Sequence, residues 1–217
     1  MRNTYVLVHG GNMSTDTWNK LAKSNDYPSG GLLGGKIWDT IIPLLEEHNH
    51  RVFAPTLTDE HQINLTGHIK EISTLITRND LNNIILVGHS YGGMIITGVA
   101  AQMAERISRL VYVDAALPDP GQSLFDIIIS GGRDPLSFVG LEPAAPYVEK
   151  LIFNLKKIDL LPKTYILCTK SEFASVTHIA REKIDSKKQW TYIELDSSHV
   201  PMASVPEEFS QILLGNY

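Results

Sequence analysis

The sequence predicts an α/β protein with a mostly parallel sheet of about six strands and helices on both faces. Short apolar runs rich in Val, Ile, Leu and Tyr recur along the 217 residues. Most are continuous rather than alternating, which is typical of strands buried on both faces. Segments with helical periodicity lie between these runs, and strand alternating with helix favours parallel pairing. The predicted strands are residues 5–8, 51–54, 84–87, 109–113, 164–168 and 191–195.

Helices are predicted where apolar residues recur every three or four positions. Ile37, Ile41 and Leu45, for example, share one helical face. The predicted helices cover residues 37–45, 69–76, 92–99, 173–184 and 206–214.

One interval between strands, residues 115–162, is much longer than the others. Pro and Gly residues divide it into two apolar helical pieces, 124–129 and 147–161. We interpret it as a small lid inserted in a single domain that spans residues 1–217, because chains usually split into separate domains only beyond roughly 250 residues. The glycine-rich stretch 28–35 is either a surface loop or a flap beside the active site.

Composition and charge argue against several classes of protein. The net charge is −5 and no run of Lys or Arg exceeds two residues, so no nucleic-acid partner is expected. The apolar runs are too short for a membrane span or a signal peptide, so we expect a cytoplasmic protein without a membrane partner. The single cysteine, Cys168, excludes an internal disulfide, and the cysteine or three-histidine clusters of metal sites are missing. We therefore expect no metal and no cofactor, while a homodimer is compatible with the sequence.

The strongest local signal surrounds Ser90. A predicted strand runs into Gly88-His89-Ser90-Tyr91-Gly92 and continues into an apolar helix. A serine on a sharp strand-to-helix turn needs glycines beside it, and the turn places its hydroxyl near the helix N-terminus, where negative charge is favoured. Ser90 is therefore the predicted nucleophile. The alternative, a glycine-rich turn with an incidental serine, does not explain the matching strand and helix.

A second signal is the pair Gly10-Gly11, which ends the first predicted strand. Attack on an ester creates an oxyanion, which needs preplaced backbone N–H donors worth roughly 3 kcal/mol each. The residue after the nucleophile, Tyr91, supplies one donor, and a loop after an early strand supplies the other. We predict Gly11 as the second donor, with Asn12 as the alternative.

Ser90 also needs a general base, and the chain has eight histidines. Only His199 follows the last predicted strand in a short polar loop, from which it can reach the nucleophile across the strand ends. The chain order serine, acid, histidine is the expected one for this arrangement. We therefore predict His199 as the base. The other histidines are assigned to solvated positions, turns or helices: His9, His48, His50, His61, His68, His89 and His178.

The acid that orients this histidine is open between Asp114 and Glu172. It should lie at the C-terminal end of a strand between Ser90 and His199. Asp114 closes an apolar strand, where a carboxylate is costly unless it has a partner, whereas Glu172 follows a polar tripeptide and can be solvated. We favour Asp114. Asp196 lies too close to His199 in the chain to face its ring easily.

With these residues in view, the chain resembles the α/β-hydrolase superfamily and, within it, the small esterases related to plant methylesterases and hydroxynitrile lyases. The resemblance covers nearly the whole chain and implies the α/β-hydrolase fold. It rests on motifs at the first strand, at the serine turn and after two later strands. The principal motifs are Val6-Leu7-Val8-His9-Gly10-Gly11, Gly88-His89-Ser90-Tyr91-Gly92-Gly93, Val111-Tyr112-Val113-Asp114-Ala115-Ala116-Leu117-Pro118 and Tyr165-Ile166-Leu167-Cys168-Thr169.

The chain departs from the family's pattern at several positions. Family members usually carry the acid shortly after the Tyr-Ile-x-Cys-Thr motif, where this chain has Ser171, and this difference favours Asp114, one strand earlier. Hydroxynitrile lyases carry a lysine directly after the catalytic histidine, and this chain has Val200 there, so cyanohydrin cleavage is not expected. A glycine-rich insertion before Trp38 and a shortened stretch after Thr58 border the expected substrate entrance.

The expected function is that of a serine hydrolase, which cleaves a small to medium carboxylic ester through an acyl-enzyme formed on Ser90. Two alternatives stay open. One is carbon–carbon bond hydrolysis or perhydrolysis by the same residues, and the other is a non-catalytic ligand receptor on the hydrolase fold. Reactivity of Ser90 toward a fluorophosphonate separates an enzyme from a receptor.

Overall fold

The computed structural model describes residues 2–184 and 189–216, and in these ranges the strands form one six-stranded sheet. In chain order the strands are β1 Thr4–Val8, β2 Arg51–Phe53, β3 Ile84–His89, β4 Ile107–Val113, β5 Lys163–Cys168 and β6 Trp190–Leu195. Their spatial order is β2-β1-β3-β4-β5-β6, and every neighbouring pair is parallel. The predicted parallel α/β architecture is therefore confirmed.

Helices cover both faces of this sheet. No helix in the described ranges is long and apolar enough to cross a membrane. In chain order the α-helices are α1 Thr15–Ala22, α2 Ile42–Glu46, α3 Leu65–Arg78, α4 Gly92–Met103, α5 Leu124–Ser130, α6 Ala145–Val148, α7 Ala174–Ile184, α8 Pro201–Ser204 and α9 Pro206–Leu214. Helices α5 and α6 lie in the segment between β4 and β5, residues 115–162, which we call the lid segment.

Alternating side chains of each strand fill two hydrophobic cores, one on each face of the sheet. Val6, Leu86 and Tyr112 belong to the core that contains the buried residues of α3 and α4. Leu7 and Val87 belong to the opposite core, with the buried residues of α2 and α9. Burial of both faces explains the continuous apolar runs in the sequence. Because all strands are parallel, their C-terminal ends meet at one edge of the sheet, and the candidate site lies there.

Two predicted helices differ in the structure. Residues 37–45 form a 3₁₀ turn at Gly34–Trp38 and then the short helix α2, whose first turn contains Pro43. The prediction of a helix over 147–161 is wrong, because α6 ends at Val148 and the backbone then turns to pair with an earlier part of the lid. The N–H of Leu151 donates to the Gln122 carbonyl at 3.0 Å, so this backbone group is used in an antiparallel bridge rather than in a helix.

Helix α1 was not predicted, although Ser14 supplies an N-cap whose hydroxyl accepts the Thr17 N–H at 3.1 Å. The glycine-rich stretch crosses the start of this helix. Thr15 N–H donates to the Gly31 carbonyl at 2.9 Å, and Leu33 N–H donates to the Met13 carbonyl at 2.8 Å. The stretch is thus paired to the loop that follows β1.

Candidate active site

Ser90 stands on a sharp turn between β3 and α4. Its φ angle is +54°, which an L-residue adopts only when its surroundings hold it there. The flanking glycines are required by space: a Cβ on Gly88 would lie 2.6 Å from the Gly92 carbonyl oxygen, and one on Gly92 would lie 2.8 Å from the Val8 carbonyl oxygen. Hydrogen bonds to β4 fix the turn, since Ser90 N–H donates to the Val113 carbonyl at 3.2 Å.

Asp114 follows β4 directly and is fully buried, at 0% exposure. One carboxylate oxygen, Oδ2, lies 2.6 Å from His199 Nδ1 and accepts a hydrogen bond from the Ser171 hydroxyl. The other, Oδ1, accepts the Cys168 N–H at 3.2 Å. A buried carboxylate is tolerated only with such partners. The structure thus brings Asp114 and His199 together, across 85 residues of sequence.

Ser171 belongs to this arrangement, although in the sequence it stands out only as the position where members of the family usually carry an aspartate. Its Oγ donates to Asp114 Oδ2, accepts the Phe173 N–H at 3.0 Å and lies 3.5 Å from His199 Nδ1. The signal that could have revealed it is its position in the loop after β5, the strand that neighbours β4. Polar side chains that follow adjacent parallel strands are brought to the same edge of the sheet.

His199 follows β6 and is held from several sides. Its Nδ1 faces Asp114, so Nδ1–H donates and Nε2 is the ring nitrogen that can accept a proton. The Phe173 ring stacks on the imidazole, with centroids 4.8 Å apart and planes at 19°. His89 Nε2–H donates to the His199 carbonyl at 2.8 Å. The pKa of His89 is far below its usual range, first because of burial and then because of His199, so His89 stays neutral as a support.

Ser90 and His199 line one small cavity of about 30 Å³ at the C-terminal edge of the sheet. Gly11 lines the same cavity. Glu172, the alternative acid, is an exposed residue on its wall, while the imidazole Nδ1 faces Asp114. The remaining wall is mostly apolar and comes from α1, the loop before it, the lid segment and the loop after β5: Met13, Thr17, Leu21, Phe138, Val139, Leu141 and Phe173.

The loop after β1 approaches Ser90 closely. A Cβ on Gly10 would lie 3.0 Å from Ser90 Cβ, so only glycine fits without displacement. The backbone N–H groups of Gly11 and Tyr91 have no protein acceptor within residues 2–184 and 189–216. Asn12, the alternative donor, has a φ angle of +41°, and its side-chain oxygen accepts a hydrogen bond from the Thr17 hydroxyl at 3.4 Å.

Two further histidines brace these turns. His9 donates from Nδ1 to the Gly10 carbonyl at 2.6 Å and accepts the Leu57 N–H at Nε2, at 3.0 Å. Burial lowers the pKa of His9 to about 4. His68 donates from Nε2 to the Thr58 carbonyl at 2.8 Å, so its Nδ1 accepts the Tyr91 hydroxyl at 3.0 Å. The structural roles predicted for these histidines agree with these contacts.

The side chains that could bind a metal ion are not clustered in the part of the chain that the structure describes. No group of three or more His, Cys, Asp or Glu side chains is arranged to hold an ion there. Cys168 is buried, and burial raises the pKa of its thiol.

Several known proteins are similar to this chain in sequence. A carbendazim hydrolyzing esterase from Nocardioides sp. (strain SG-4G) is 39% identical over 132 residues, which are 57% of this chain and 46% of that protein. Polyneuridine aldehyde esterase from Rauvolfia serpentina is 34% identical over 106 residues, or 44% and 39% of the two chains. Methylesterase 8 from Arabidopsis thaliana is 26% identical over 100% of this chain and 79% of its own length. The chain thus spans less than half the length of the first two relatives.

Solved structures show the same fold. An extracellular alpha/beta-hydrolase from a Paenibacillus species superimposes with a TM-score of 0.75 at 21% identity, covering 99% of this chain and 98% of that one. A pyrethroid hydrolase from Sphingobium faniae JZ-2 gives a TM-score of 0.74 at 18% identity, with 99% and 97% covered. The resemblance to the plant methylesterase group is confirmed by the sequence relatives. The family described as "Alpha/beta hydrolase family" matches residues 5–154, more than half of the chain, and the chain therefore belongs to the alpha/beta hydrolase family.

Proposed function

We propose that this protein is a serine-dependent carboxylic ester hydrolase that works through an acyl-enzyme. Ser90 is the nucleophile, His199 the general base, Asp114 the acid that orients it, and the N–H groups of Gly11 and Tyr91 form the oxyanion hole. The similar proteins are named esterases and hydrolases, which supports ester cleavage as the reaction.

The observation that carries the proposal is the placement of His199. Its Nδ1 lies 2.6 Å from the buried Asp114 carboxylate, and its ring lines the same cavity as Ser90. A base oriented by a buried carboxylate beside a strained serine is the arrangement that activates a hydroxyl for attack.

The reaction then proceeds in two balanced halves. His199 Nε2 takes the Ser90 hydroxyl proton as Oγ bonds to the ester carbonyl carbon, and the carbonyl oxygen becomes an oxyanion held by Gly11 and Tyr91. His199 returns the proton to the leaving alcohol when the carbon–oxygen bond breaks, which leaves the acyl group on Ser90. Water loses a proton to His199 as its oxygen bonds to the acyl carbon, and His199 returns that proton to Ser90 Oγ when the bond between Oγ and the acyl carbon breaks and the acid leaves.

The cavity indicates the size of the group that lies beside Ser90. Its volume of about 30 Å³ is small, and its wall is mostly apolar. The structure as it stands therefore suits a small acyl or alcohol group, and a larger group requires movement of the lid segment residues Phe138, Val139 and Leu141.

The test replaces Ser90 by Ala and follows hydrolysis of p-nitrophenyl acetate, butyrate and octanoate. We expect hydrolysis to disappear, because no acyl-enzyme can form. We also expect a fluorophosphonate probe to label the natural protein at Ser90, as located by mass spectrometry of the peptides. Ser210→Ala is the matched control, because Ser210 is also buried but lies on α9 and bonds to the Glu207 carbonyl.

Two results would overturn the proposal. Full ester hydrolysis by folded Ser90→Ala protein would show that another group carries the reaction. A folded natural protein that neither reacts with the probe nor hydrolyses any ester of the series would favour a non-catalytic ligand receptor.

A further inference from the structure

Tyr147 is a fully buried residue of the lid segment that the mechanism above does not use. It lies on α6 and lines a second cavity, of about 20 Å³, together with His68, Gly11 and Tyr91. The last two are the proposed oxyanion donors. Tyr147 thus stands behind the oxyanion hole, on a different cavity from the one that Ser90 and His199 share.

The hydroxyl of Tyr147 occupies the space that a side chain at Gly11 would need. A Cβ at Gly11 would lie 2.3 Å from Tyr147 Oη and 2.8 Å from Cζ, far inside van der Waals contact. The φ angle of Gly11 is not in the positive region, so the ring, and not the backbone conformation, demands glycine here. Tyr147 can therefore pack against the loop after β1 only because Gly11 has no side chain.

The ring of Tyr147 packs on the other donor residue. Its centroid is 5.1 Å from that of Tyr91, with the planes at 83°, an edge-to-face contact that is favourable for aromatic pairs. On its far side, Tyr91 is held by the hydrogen bond from its hydroxyl to His68 Nδ1. Tyr91 is thus clamped between His68 and Tyr147.

Helix α6 is itself anchored to the main body of the protein. The Glu149 carboxylate, two residues beyond Tyr147, accepts the Thr66 N–H at 3.0 Å and the Thr66 hydroxyl at 2.6 Å. Thr66 lies in the first turn of α3, where a negative charge is favoured. On the lid side, the Phe125 ring of α5 stacks 6.3 Å from Tyr147.

The surroundings of the Tyr147 hydroxyl keep it neutral. Its pKa is raised, first by burial and then by the negative charge of Glu60, while contact with the Asn12 backbone opposes this effect. The hydroxyl thus stays protonated and faces the loop that carries Gly11 and Asn12.

We infer that Tyr147 is a positioning residue of the oxyanion hole, through which the lid segment sets the distance between the N–H groups of Gly11 and Tyr91. This inference rests on the proposed function. Misplaced donors weaken binding of the transition state more than binding of the substrate, because the full negative charge exists only in the transition state. Tyr147 need not touch the substrate to have this effect.

The test compares Tyr147→Phe, which removes only the hydroxyl, with Tyr112→Phe. Tyr112 is a matched control, because it is fully buried and its hydroxyl bonds to Thr97 Oγ1 at 2.8 Å, away from the loop that carries Gly11. We expect Tyr147→Phe to lower kcat by about tenfold or more with KM changed less than about twofold, and to weaken a trifluoromethyl ketone inhibitor in proportion. Tyr112→Phe should change neither constant. Thermal unfolding of both variants confirms that they are folded.

A double-mutant cycle with Gly11→Ala keeps the inference testable if the single change is silent. Gly11→Ala should abolish most activity when Tyr147 is present, and should cost much less in a Tyr147→Ala background, which removes the clashing atoms. Additive effects of the two changes, together with an unchanged kcat in Tyr147→Phe, would overturn the inference. The proposed function would still stand in that case if the natural protein hydrolyses esters. If the natural protein neither hydrolyses esters nor reacts with a fluorophosphonate, the function and the inference fail together.

Discussion

Asp114 is a buried aspartate whose hydrogen-bond partners explain how a carboxylate is held beside His199. It is fully buried, yet its carboxylate accepts hydrogen bonds from His199, Ser171 and the Cys168 N–H. An ionised carboxylate at such a position is stable only because charge-assisted hydrogen bonds replace its hydration. Glu172 lies in the loop after the neighbouring strand β5 and is exposed to solvent on the cavity wall.

Separate substitutions of the two acids test the assignment. We expect Asp114→Asn to lower kcat by about 10³-fold or more, because an amide cannot stabilise the imidazolium and holds the wrong tautomer. Glu172→Gln should retain activity within about threefold, since its side chain is solvated. Steady-state hydrolysis of p-nitrophenyl acetate measures both. A large loss in Glu172→Gln with a small loss in Asp114→Asn would reverse the roles.

Among single residues, the sequence predicts those that stand in a recognisable local motif. It misses those whose role depends on contacts with distant parts of the chain. Ser90 and His199 were identified because each stands at a strand end with a characteristic neighbourhood. The stacking of Phe173 on His199 and the hydrogen bond from Ser171 to Asp114 involve separate strand-end loops. No pattern within one segment reports such a contact.

Among the elements, helix α4 depends most on close backbone approach. A Cβ on Gly93 would lie 2.1 Å from the Ala116 carbonyl oxygen, which is a backbone atom after β4 and cannot easily move. Gly98 lies in the same helix, but the nearest atom to a Cβ there is Ile69 Cδ1, at 2.3 Å, the end of a side chain that can rotate away. The two glycines therefore have different reasons to be present.

The same substitution at both positions should give different results. We expect Gly93→Ala to lower the free energy of unfolding by about 2–3 kcal/mol, because the start of α4 must separate from the backbone that follows β4. Gly98→Ala should change it by about 1 kcal/mol or less, since the helix preference for alanine offsets a side-chain adjustment. Urea unfolding followed by tryptophan fluorescence measures both. Equal losses would contradict this account of α4.

Helices and strands are predictable from the sequence where the local pattern of apolar residues agrees with the contacts made in the folded protein. Each predicted strand appears within about two residues of its observed bounds, and the helix expected over 206–214 is α9. Residues 147–161 have helical spacing of apolar groups, but Leu151 pairs with Gln122 in the lid segment. Tertiary pairing overrides a helical pattern there, because the backbone groups have a partner elsewhere.

For the whole molecule, the buried histidines link folding to pH. The pKa of His9 falls to about 4 in the folded protein, and that of His89 falls well below its usual value, in both cases mainly through burial. Unfolded histidine has a pKa near 6.5, so below that pH the unfolded chain binds protons that the folded protein refuses. The stabilising effect is complete above pH 6.5 and is lost as the pH falls from there toward 4.

Urea unfolding at pH 7 and pH 5 measures this linkage. We expect His9 alone to account for a loss of about 2 kcal/mol in the free energy of unfolding between these pH values. His9→Gln should be less stable at pH 7 but should show a pH dependence that is smaller by about this amount. His178→Gln is the control, because His178 is exposed on α7 and should leave the slope unchanged. An identical slope in His9→Gln and the natural protein would contradict the role of His9.

The sequence by itself determined the parallel α/β sheet, the serine turn and the histidine after the last strand. Each of these features depends on a short segment of sequence: an apolar run, a glycine pattern or a polar loop. The conformational preferences of the residues within that segment are enough to predict it. The tertiary structure alone decided how Asp114 is satisfied, what supports His199, and how Tyr147 meets Gly11. Those contacts join positions up to 136 residues apart, as between Gly11 and Tyr147. Only the packing of the folded chain brings such positions together, because the parallel sheet gathers its strand ends at one edge and the lid segment closes over them.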